Sequence, residues 1–173
     1  MNFNDKFLNE FWNDIDYSKK KYISEFPTDE IIAKVEEEIH YRLPKAYVEL
    51  MKFHNGGLVN KCCFKTSTPT SWAEDHIAIE GIYGIGFDKP NSLGGDFGSR
   101  FWIDEWEYPD IGVAICDCPS AGHDMVFFDY SECGKDGEPS VVHIDQECDY
   151  EITKLADCFE EFVLGLVDEE ELE

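Results

Sequence analysis

From residue 3 to 15 the apolar positions are Phe3, Phe7, Leu8, Phe11, Trp12 and Ile15, a spacing that keeps them on one side of a helix. The opening segment therefore predicts an amphipathic helix. Lys19, Lys20 and Lys21 form the only basic run. A second helical pattern follows at Ile31, Ile32, Val35 and Ile39, where Thr28 can cap the first turn and Asp29 and Glu30 complement its dipole. Pro44 then stands where a first turn tolerates proline, and Ala46, Tyr47, Leu50 and Met51 continue with helical spacing until Asn55, Gly56 and Gly57 end it.

Beyond Gly57 the pattern changes to short apolar runs broken by Gly, Pro, Asn and Asp, which predicts strands at 58–65, 76–83, 111–117, 125–130 and 141–145. The stretch 94–110 interrupts them and holds a short helix at 99–106. Turns are expected at 120–122 and 133–139. Leu155, Cys158, Phe159, Phe162, Val163 and Leu166 predict a closing amphipathic helix with Cys158 on its apolar face, followed by an acidic, solvated tail at 168–173. Helices, then strands, then a helix predict an α+β fold: a mixed or antiparallel sheet with N-terminal helices and a C-terminal helix packed on it. No repeat or linker divides the 173 residues, so one domain is expected, with 1–26 as a helical extension.

Composition adds the sign of the surface. Fourteen basic side chains stand against 38 acidic ones, a net charge of −24 with histidines neutral. Nucleic acid and anionic membranes are excluded as expected partners, because both bind through Lys and Arg. A basic protein surface suits such a field, although acidity also serves plain solubility. The first 20 residues mix Asp, Glu and Asn among their aromatics, unlike a secretory leader, and no stretch is long enough to span a bilayer. A cytoplasmic location is expected, with all seven cysteines as free thiols.

The stretch 94–110 concentrates the candidate chemistry. Asp96, Asp104, Glu105, Glu107 and Asp110 are interleaved with Phe97, Phe101, Trp102, Trp106 and Tyr108 around a lone Arg100. Rigid aromatics anchor interfaces and carboxylates pair with a partner's basic groups. The candidate partner-binding residues are accordingly Asp96, Arg100, Trp102, Asp104, Glu105, Trp106, Glu107 and Asp110. The plainer alternative is that the rings are core and the acids a solvated face. Cys116 and Cys118, with His123, Cys133, His143 and Cys148 downstream, lack the paired spacing of a zinc site, and no metal or other cofactor is expected. A nucleophile built from Cys116, His143 and Asp145 has no positive support in the pattern. The clustered glycines do not form a dinucleotide fingerprint, and His40 and His54 fall near helix ends, where capping is their expected role.

Glu36, Glu37, Leu43, Pro44, Tyr47, Leu50, Met51, Asn55, Gly56 and Gly57 form a pattern that resembles the SUKH superfamily, specifically its Smi/Knr cell-wall-synthesis-regulator branch. The Gly122 turn with the Asp124-started strand, and the stretch 139–166 with Asp157, Phe159, Glu160, Glu161 and Phe162, agree with it. The resemblance implies an α+β protein-binding module without catalytic apparatus. It implies either a bacterial immunity protein that neutralises a cognate toxin, often a nuclease, or an intracellular scaffold or regulator of cell-wall synthesis or signalling. The expected partner is a protein, with a basic toxin domain first. Leu43, Pro44, Tyr47, Gly56, Gly57 and Asp124 carry over as fold determinants only.

Overall fold

The helical periodicity of the opening segment is realised only as far as Phe11. The computed structural model describes residues 3–172; Met1, Asn2 and Glu173, the last of these in the acidic tail, lie outside the described residues. Helix α1 (Asp5–Phe11) is capped by Asn4, which accepts from the Phe7 N–H at 2.8 Å. Trp12 then turns extended and β1 (Trp12–Asn13) pairs with Leu58 and Val59, so the expected continuation to Ile15 is replaced by a strand. Helix α2 (Asp16–Lys21) follows and contains the lysine run, three cations in a last turn where they favour the dipole.

Helix α3 (Asp29–Ile39) has the predicted Thr28 cap, accepting from Ile31 N–H at 3.2 Å, and ends on His40 in the left-handed region at φ 70°. The Glu36 carboxylate accepts from the Leu43 N–H at 2.7 Å and closes the turn into α4 (Lys45–Phe53), for which Pro44 is the cap. His54 ends α4, stacks on Trp12 at 4.4 Å and bonds the Asp14 carboxylate at 2.7 Å.

Strands β2 (Gly57–Val59), β5 (Gly81–Ile82), β6 (Gly112–Asp117), β7 (Asp124–Asp129), β8 (Ser140–Asp145) and β9 (Glu151–Ala156) join β1 in one sheet, ordered β1-β2-β5-β6-β7-β8-β9. Every pairing in it is antiparallel. Strands β3 (Cys63–Lys65) and β4 (His76–Ala78) pair separately. The runs expected at 58–65 and 76–83 are thus two strands each, because the chain leaves one sheet for the other within both. Strand β9 was not expected at all. Helix α5 (Ser99–Asp104) lies between β5 and β6, and α6 (Phe159–Gly165) closes the fold. Cys158 precedes α6 as its cap residue, half-buried, rather than sitting on its apolar face. The tail forms a single 3-10 turn at Glu169–Leu172, with Glu171 3.6 Å from Lys61, so it is more ordered than a frayed end.

Adjacent residues of β7 project to opposite faces and show how the layers are built. Phe128 meets Tyr47 of α4 and Phe159 of α6 edge-on, at 5.5 and 5.7 Å, whereas Phe127 stacks on Tyr108, just after α5, at 5.5 Å. One apolar cluster runs from Phe3 to Leu166 and includes Phe11, Trp12 and Tyr22, so the N-terminal extension is part of the core. The Asn-Gly-Gly stop also becomes intelligible. Gly56 holds φ +89°, and a Cβ there would meet the Gly84 amide nitrogen at 2.6 Å.

A candidate protein-binding cleft

Backbone bonds of the Gly-rich loop before α5 place an aromatic row on the molecule's surface. The Ser99 hydroxyl oxygen accepts from the Ala114 N–H at 3.0 Å, which fixes α5 against β6. From that anchor Phe97, Phe101, Trp102 and Trp106 run ring against ring, with centroids 5.3, 5.0 and 5.3 Å apart. Trp102 is only 8% exposed and donates its indole N–H to the Phe97 carbonyl at 2.8 Å. It is therefore first a core residue that shows one part to the surface. Trp106 is half-buried and abuts the His123 ring at 5.7 Å. The turn at Gly122 fits this wall closely: its φ is +96°, its carbonyl accepts from Tyr108 Oη at 2.6 Å, and a Cβ would meet the Trp102 ring at 2.6 Å.

The sequence-expected acids fall into two groups. Arg100 reaches Asp104 at 2.7 Å and Asp110 at 3.5 Å, so these three candidates are tied to one another. Both carboxylates are more than half exposed, so the ties hold the loop rather than add much stability. Asp96, Glu105 and Glu107 are exposed, and among the described residues no ion pair includes them. Glu107 sits at φ 63° and turns the chain from α5 toward Tyr108.

The aromatic row also lines a feature the sequence pattern did not single out. A cleft of about 530 Å³ is lined by Phe97, Phe101, Trp102 and Trp106 together with Glu80, Asn91, Asp117 and Cys118. Gly81 pairs with Asp117 across β5 and β6, which brings Glu80 and Asp117 together. The Asp117 carboxylate accepts from Tyr22 Oη at 2.6 Å, Asn91 Nδ2 at 3.2 Å and the Gly81 N–H at 3.3 Å. Burial pushes its pKa up to about 7, the Tyr22 hydrogen bond works against that, and the Glu80 charge adds to it. Burial likewise raises Glu80, and burial together with Asp117 raises the Tyr22 phenol far above its ordinary value.

A carboxyl raised from 3.8 to about 7 on folding gives stability that is full below pH 4 and is lost as pH rises through 7. Asp117→Asn removes that dependence. Thermal melts from pH 5 to pH 8 should show a larger fall for the wild type than for the variant; parallel profiles would contradict the burial argument.

The cysteine and histidine alternatives resolve differently. Cys116 and Cys118 are buried, and burial raises both thiols well above their ordinary range. Cys116 and His143 both oppose Val126, so a whole strand separates them. His143 bonds Asp124 at 2.7 Å, while Asp145 accepts from the Ser71 backbone N–H and hydroxyl. His143 and Asp145 are thus engaged with separate partners, and β7 lies between Cys116 and His143. Among the described residues no group of three or more His, Cys, Asp and Glu could hold a metal ion, and no helix is long and apolar enough to cross a membrane.

A family model, SUKH_6, described as SMI1-KNR4 cell-wall, matches residues 29–163. No curated protein matches the chain. The matched region holds the residues that line the cleft, whereas Tyr22, which fixes Asp117, lies before it.

Proposed function

This chain belongs to the SUKH_6 family, SMI1-KNR4 cell-wall, and on that premise we propose that it is a non-enzymatic protein-binding module, specifically an immunity protein that neutralises a cognate toxin in the cytoplasm. The observation that carries this reading is the aromatic-walled cleft beside the unpaired acids Asp96, Glu105 and Glu107, on a chain of net charge −24. Aromatic rings supply buried contact area, and the surrounding field speeds encounter with a basic domain such as that of a nuclease. Inhibition is then stoichiometric, by occupation of the toxin's basic surface. No side chain of the chain needs to turn over substrate.

The charge part of this proposal has a direct test. With Asp96, Glu105 and Glu107 all replaced by Lys, association with the partner captured by the wild type should slow by roughly tenfold at low salt and lose most of its salt dependence. All three side chains are exposed, so the melting temperature should hold. Unchanged association kinetics would remove this segment from the interface.

The family description also supports a second reading, an intracellular scaffold or regulator of cell-wall synthesis. It predicts several weaker partners and no toxin. Relief of a toxin's lethality on co-expression would decide for the immunity reading, and a spread of housekeeping or cell-wall proteins in its place would decide for the regulator.

A further inference from the structure

Among the described residues, no ion pair includes Glu80 or Asp117, although both line one cleft. They are held close by the backbone, since the Glu80 N–H donates to the Asp117 carbonyl at 2.9 Å. Three neutral donors fix the Asp117 carboxylate in place, and a carboxylate has room for about four. Charge in such a half-enclosed place is costly without a counter-charge. The same cleft is lined by Phe97, Phe101, Trp102 and Trp106, aromatic side chains of the kind whose π-systems attract cations. An anion is repelled by this cleft. A neutral apolar ligand would cover two carboxylates and leave them unpaired.

We infer that the cleft is a receptor for one arginine side chain projected from the protein partner, its guanidinium stacked on the aromatic row and hydrogen-bonded to Glu80 and Asp117. A planar, weakly hydrated guanidinium meets rings and carboxylates at once, which a compact, strongly hydrated ammonium does less well. Its stem is covered by the remaining rings. Phe97 is 46% exposed at the rim, apolar surface that folding leaves uncovered and that a protein neighbour would cover. A free amino acid is disfavoured, because its own carboxylate would enter the field of Asp96, Glu105 and Glu107. This inference rests on the protein-binding reading above and names the group that its surface takes.

The test is a titration of the intact protein with the blocked tripeptide acetyl-Gly-Arg-Gly-amide, followed by the indole N–H signals in NMR at pH 8, above the value of about 7 to which burial raises Asp117. The citrulline peptide, the lysine peptide and free arginine are run alongside. The arginine peptide should shift the Trp102 and Trp106 signals and leave Trp12 unmoved; citrulline should bind at least roughly tenfold more weakly, and lysine should fall between. Glu80→Gln and Phe97→Ala, both at exposed positions and checked for native melting, should each lower the affinity severalfold. Equal binding of the arginine and citrulline peptides, absence of shifts at Trp102 and Trp106, or tighter binding of free arginine than of the blocked peptide would each overturn the inference. Because the titration needs no partner, a failed toxin assay with a positive titration discards the immunity reading alone, and the reverse discards the arginine receptor alone.

Discussion

Asn55→Ala should cost about 3–5 kcal/mol, because three backbone groups lose their partner at once. The Asn55 amide donates to the carbonyls of Glu25 and Ile85 at 2.7 and 2.9 Å, and its oxygen accepts from the Ile85 N–H at 2.7 Å. Asn55 is 3% exposed, so water does not replace these bonds in the variant. The side chain stitches the end of α4 to the segments on either side of it, before α3 and after β5. Against a total of roughly 5–15 kcal/mol, the loss leaves a chain that is marginal at best. Asn55→Asp should not rescue it: one carboxylate oxygen still accepts from Ile85, but the other faces two carbonyls. Denaturant unfolding checks both variants. A loss below 1 kcal/mol for alanine would mean that the loop at 84–86 closes on other contacts.

Phe128→Ala should cost about the same, 3–5 kcal/mol, by a different route. Its ring is fully buried and meets Tyr47, Phe159 and Tyr130 edge-on at 5.5, 5.7 and 6.5 Å. It is the point where β7, α4 and α6 touch through rings, so the cavity left behind opens between layers rather than within one. Tyr47 cannot lean into the space freely, because its hydroxyl donates to the Tyr83 carbonyl. Phe128→Leu refills most of the volume and should lose much less. A similar penalty for the two substitutions would show that the edge-on geometry, and not the volume, carries the stability.

The two positions also show what the sequence made legible. The spacing of Ile32, Val35 and Ile39, and of Tyr47, Leu50 and Met51, marked α3 and α4 because each buries one face and carries an intact cap or stop. The apolar run at 125–130 marked β7 because it is covered on both faces. Strand β9 was missed for the opposite reason. It is an edge strand, and Glu151, Ile152 and Leu155 lie at exposed or half-exposed positions, so its sequence has no buried alternation to detect. The early end of α1 depends on a partner 47 residues away, where Trp12 pairs with Val59, and no local pattern encodes it. In the site, the rings of 94–110 were legible as residue types, and four of them line the cleft. They did not disclose that Arg100 would pair with Asp104 and Asp110, or that Trp102 would be largely core. Glu80, Asp117 and Tyr22 gave no signal, since only sheet pairing and the packing of α2 bring them together.

These assignments meet in one physical claim, that a strongly acidic, aromatic-walled cleft makes this chain a receptor for a basic protein. Affinity capture with the intact tagged protein from its own cells, at low and at physiological salt and beside the Glu80→Gln variant, tests it most directly. The account predicts one dominant basic partner in stoichiometric amount, weakened by salt and by the variant, whose toxicity is relieved when the two are co-expressed. An acidic partner, or one bound equally at both salt concentrations and by both proteins, would contradict it.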